Sequence, residues 1–152
     1  MSIYELLLFV HVLGASAWVG ANILGTLLYE LAMRAGDRRW VVRLGELDDR
    51  LAPILYIPAA SLVLLAGIGL VLDGPWSFGD GWVVAGLVLL FAAFAIGLGF
   101  FMPLAKKLAA AVADGGADSP EVDRLLRSLR PVLWADVGVL VAAVFVMTTK
   151  PF

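Results

Sequence analysis

The chain has 152 residues, 62% hydrophobic and 16% charged, with a mean hydropathy of +0.96 and a formal net charge of −2. Soluble domains run at about 45–50% apolar and about 25% charged, so a water-soluble globule and a disordered chain are both excluded, and the charge gives no reason to expect nucleic acid as a partner. Cysteine is absent, which removes disulfides, thiolate metal centres and thiol catalysis.

Charge gaps locate the helices. Residues 6–29, 51–72 and 81–105 carry no Asp, Glu, Lys or Arg, and residues 131–149 carry only Asp136. A helix needs about 20 apolar residues to cross about 30 Å of hydrocarbon, and all four stretches qualify. The remaining 62 residues hold 23 of the 24 charged side chains. The short alternating segments of a membrane barrel are missing. The expectation is an all-α, four-helix transmembrane bundle in one membrane domain, with spans at about 4–29, 52–72, 82–105 and 131–149, and short amphipathic cytoplasmic helices between them.

In chain order, the first span opens with Glu5 and no basic residue. Ala15-Ser16-Ala17 has the look of a signal-peptidase site, but the apolar run continues to Tyr29, which reads as a retained span. Loop one carries Arg34, Arg38, Arg39, Arg43 and Arg50. Its Trp40, Leu44, Leu47 and Leu51 recur at helical spacing, which predicts an interfacial helix with its arginines toward headgroups. Pro58 falls about one turn into the second span and is expected to bend it. Asp73-Gly74-Pro75-Trp76-Ser77-Phe78-Gly79-Asp80-Gly81-Trp82 reads as a tight external turn, with Trp76 and Trp82 at headgroup level. Loop three carries Lys106, Lys107, Arg124, Arg127 and Arg130, and Ser119-Pro120-Glu121 has the form of a helix start. Pro131 suits the first position of span four. The second loop has no basic residue and the C-terminus only Lys150, so both termini are expected outside, with loops one and three in the cytoplasm.

Ionisable groups inside a span are costly and point to function. His11, the one histidine, lies about 12 Å in from Ile3 at about 1.5 Å per residue. It shares a helical face with Leu7, Trp18, Asn22 and Tyr29, beside a small-residue stripe of Ala17, Ala21 and Gly25. Three readings of His11 stand: an axial heme ligand with Gly14 leaving room for the macrocycle, a copper ligand or proton relay, and an interhelical hydrogen bond. A six-coordinate heme needs Met147 or a second copy of the chain; a five-coordinate one needs neither. Lys150 is expected to snorkel to the outer headgroups, and its place on the same outer half also lets it meet a propionate. Asp136 reads either as a proton or cation site, within reach of an Asn22 hydrogen bond, or as a carboxylate favoured by the start of span four.

The residues His11-Val12-Leu13-Gly14-Ala15-Ser16-Ala17-Trp18-Val19-Gly20 form H-x6-W-x-G, and the chain closes with Met147-Thr148-Thr149-Lys150-Pro151. Together with the span order, this resembles a bacterial family of small integral membrane proteins of unknown function. The first-span motif alone is similar to the copper resistance D family and to the membrane protoporphyrinogen oxidase that carries heme b. The second similarity implies heme ligation by His11, with Trp18 and Gly20 the other residues it carries across. The expectations are therefore a multi-pass bacterial inner-membrane protein, binding heme b through His11, with Trp18 packing nearby and Gly14, Met147 and Lys150 around the group. A homodimer and a membrane redox partner are expected. Two alternatives are a copper or small-solute transport or accessory protein, and a cofactor-free structural subunit.

Overall fold

The computed structural model describes residues 2–151, and they are all-helical. Helix α1 spans Ile3–Arg34, α2 Arg38–Leu51, α3 Ile57–Asp73, α4 Gly81–Ile96, α5 Met102–Gly115 and α6 Pro120–Thr149. Four long apolar helices make the chain a multi-pass membrane protein.

The helix ends follow from their caps. Ser2 and Glu5 form a reciprocal capping box at α1, each side chain closing the other's free backbone N–H. Asp37 caps α2 after a turn in which Gly36 takes φ +68°, the left-handed region that glycine enters at no cost. Ser119 caps α6 with Pro120 in the first turn, as its sequence predicts.

The loop helices differ from expectation. They are continuations of the spans rather than separate surface helices. α2 runs into α3 through a π-helical turn at Ala52–Tyr56, and α4 runs into α5 through another at Gly97–Phe101. Each π turn is followed two residues later by a proline, Pro58 or Pro103. A proline ring presses on the carbonyl four residues back, and a widened turn relieves that pressure without ending the helix. Pro131 lies inside α6, not at its start.

Helix α1 alone has 32 residues, about 48 Å of rise against about 30 Å of hydrocarbon. The excess lies at the end that carries loops one and three, the basic end. There α1, α2, α5 and α6 enclose an apolar core that includes Ala32, Val41, Leu108, Val122 and Leu126. Helix α2 therefore buries Val41 and Leu44 against its neighbours instead of lying on a lipid surface. Ion pairs surround this core: Arg38 grips Asp123 with two bonds of 2.6 and 2.8 Å, and Arg34 and Arg130 both donate to the buried Glu30.

Within the membrane, α3 packs along α1, α4 along α6, and α1 meets α6 between them. Small residues set the α1–α3 approach: a Cβ on Gly14 would stand 3.1 Å from the Ala59 carbonyl oxygen. α3 and α4 make no extended contact with each other. A lateral gap results, closed at the basic end by α2 against α5 and at the other by the turn through Trp76, hereafter the turn end.

Candidate functional site

Trp18 divides the interior. It is buried, stacks on Phe94 at 5.7 Å between ring centres, and forms part of the wall of two cavities.

The turn-end cavity, about 560 Å³, holds His11. The imidazole Nδ1 lies 2.9 Å from the carbonyl oxygen of Val63, so Nδ1–H donates and Nε2 keeps its lone pair. Nε2 has no hydrogen-bond partner among the described residues and is not sealed off, and His11 is one of the residues that line the cavity. The ring fits because position 67 is glycine: a Cβ there would approach within 3.1 Å of His11 Cε1. Met147 and Lys150 line the same cavity, from the end of α6. Met147 packs into a notch at Gly86 on α4. The Lys150 ammonium lies 3.7 Å from the Trp76 ring centre and 4.8 Å from that of Trp82, inside a pair of edge-to-face indoles. No carboxylate lines this cavity.

His11, Trp18, Met147 and Lys150 thus share one cavity. Gly14 does not line it. One turn from His11, it faces α3, where its missing side chain lets two helices close up rather than a macrocycle enter.

The basic-end cavity, about 260 Å³, has the opposite character. Asp48, Asp49 and Asp136 line it, with Asn22, Tyr29 and Tyr56, and no Lys, Arg or His does. Tyr56 donates to Asp48 at 3.2 Å, and Tyr29 reaches the same carboxylate. Asn22 spends its amide on the Trp18 carbonyl at 2.9 Å, one turn back on its own helix, so the expected Asn22–Asp136 bond is not formed. Asp136 is only 6% exposed and has no hydrogen-bond or ion-pair partner among the described residues; its carboxylate is not sealed off, and the residue forms part of the cavity wall. Nor does a helix N-terminus favour it. Because α6 starts at Pro120, that terminus lies 16 residues away, about 24 Å.

The sequence hid Asp48, which sits in a basic loop and reads as a surface charge until α2 continues α3. Val63 and Gly67 left no signal by residue type; their role depends on how α3 sits against α1.

No curated protein and no solved structure matches the chain. Residues 5–151 match the family described as predicted integral membrane protein (DUF2269), and with nearly the whole chain covered, the protein belongs to that family.

Proposed function

We propose that the turn-end cavity binds heme b with His11 as axial ligand, and that the protein has a redox or porphyrin-related role in the membrane. The observation that carries this reading is the His11 contact with Val63: the carbonyl accepts from Nδ1–H at 2.9 Å, which leaves Nε2 unpartnered on a residue that lines an apolar cavity. A hydrogen bond from the far ring nitrogen is the usual support of a metal-bound histidine, fixing the ring and raising its basicity. The donor set suits the group. One imidazole serves as axial ligand, the Met147 thioether is available as a second, and Lys150 offers a cation to a propionate. The volume falls in the range of about 300–1,000 Å³ typical of cofactor sites. When bound, the heme iron supplies one-electron chemistry, and the residues here bind it, orient it and keep it from water. The similarity of H-x6-W-x-G to the heme-carrying oxidase supports the same assignment.

The test is an absorption spectrum of protein purified after expression with heme supplied. A Soret band is expected in the wild type and is lost in His11→Ala. A colourless wild type, or a band indifferent to His11→Ala, refutes the reading. Copper rather than iron that disappears with His11 would support the metal-handling alternative instead.

A further inference from the structure

We propose that the basic-end cavity is a binding site for a hydrophobic organic ammonium ion, with Asp136 as its counter-charge. An ionised carboxylate taken out of water is costly unless something pairs with it. Asp136 is buried, and nothing among the described residues pairs with it, although its side chain borders about 260 Å³ of space. Three other polar groups of this half have partners: Glu30 is held by two arginines, Asp48 by Tyr56, and the Asn22 amide by its own helix. The missing partner of Asp136 is a positive charge that the chain does not supply.

Three features select the kind of cation. No group of three His, Asp or Glu side chains among the described residues is arranged to hold a metal ion. The cavity is far larger than a bare ion, and its walls are aromatic and aliphatic, with Trp18, Tyr29, Tyr56, Phe94 and Phe101 among them. Aromatic faces hold alkylammonium groups through their negative π-surfaces, a contact strengthened where water is excluded. The cavity also reaches Ile57, Leu98 and Met102, exposed apolar residues at the π turns that flank the α3–α4 gap. A cation with an apolar body can enter there from the bilayer, whereas an inorganic ion would need a wet path. The turn-end cavity, with His11 and Lys150 and no carboxylate, is the reverse case, so of these two cavities the basic-end one suits a cation.

Benzyltrimethylammonium is the probe, since a quaternary ion cannot exchange a proton. Equilibrium dialysis of the labelled ion against the full chain in detergent is expected to show saturable binding. Asp136→Asn weakens it about tenfold or more, the loss of an ion pair worth at least about 1.4 kcal/mol. Glu121→Gln, which removes an exposed charge outside the cavity, leaves it unchanged. The neutral isostere neopentylbenzene, tested as a competitor on the wild type, is expected to bind at least about tenfold more weakly. That arm decides the question even if Asp136→Asn does not fold. Absence of saturable binding, equal binding by a folded Asp136→Asn, or equal competition by the neutral compound would each overturn the proposal.

Discussion

Replacing Gly14 with Ala tests the packing that brings His11 to α3. The added methyl would stand 3.1 Å from the Ala59 carbonyl oxygen, 3.2 Å from Val63 Cγ2 and 3.3 Å from Leu62 Cβ. Two of these neighbours are a backbone oxygen and a Cβ, which no rotamer change can move. The helices must part by a few tenths of an ångström, and overpacking of this kind costs about 1–3 kcal/mol. Against it stands the higher helix propensity of alanine, worth up to about 1 kcal/mol. Gly20→Ala gives the same propensity gain with no atom within 4 Å of the new methyl, so it is the matched control. The difference between the two variants isolates the steric part and should be about 1–3 kcal/mol, Gly14→Ala being the less stable. Equilibrium unfolding in mixed micelles measures it. Equal stabilities, or a more stable Gly14→Ala, would show that α1 and α3 are not in van der Waals contact at this point.

Leu126→Ala removes a buried side chain from the basic-end core and should cost about 2–5 kcal/mol in the same assay, while the protein still inserts into membranes. Arg38→Ala should lower stability slightly, with the loss shrinking as salt rises, because its pair with Asp123 is partly exposed; a loss that is large and independent of salt would contradict that. The chain has no cysteine, so single cysteines at Gly79 and Gly116 report topology directly. An impermeant maleimide applied to whole cells should label position 79 and spare 116, and the opposite pattern would invert the topology expected from the basic loops.

The transmembrane helices could be read from charge alone, because hydrocarbon excludes charge so strongly that each span appears as a gap. Their lengths could not. Trp40, Leu44 and Leu47 have the spacing of a surface helix, and only the continuity of α2 with α3 shows that Leu44 is buried while Leu47 stays exposed. Pro131 looks like a boundary, yet α6 passes through it, and Pro58, which reads as a bend inside span two, follows a π turn. Reading Pro131 as a start puts Asp136 in a helix's first turns, where a carboxylate is at ease, whereas the continuous α6 puts it deep inside the helix. The residues of the turn-end cavity are easier to pick out of the sequence. His11, Trp18, Met147 and Lys150 are rare types at telling depths, and rarity survives in a linear sequence. The carbonyl of Val63 and the vacancy at Gly67 do not, since any residue has a carbonyl and this chain has sixteen glycines.

The gap between α3 and α4 has a mechanical consequence. The two helices are tied together at both ends, by the Trp76 turn at one and by α2 against α5 at the other. They resemble two staves of a barrel held by hoops at top and bottom. Such staves cannot swing apart as rigid bodies. They can only bow, and a helix bows where its ladder of hydrogen bonds is already irregular. In both staves that place is the π turn ahead of a proline, on the rim of the Asp136 cavity. The width of the slit is therefore governed by two five-residue segments, Ala52–Tyr56 and Gly97–Phe101, and not by the loops that join the helices.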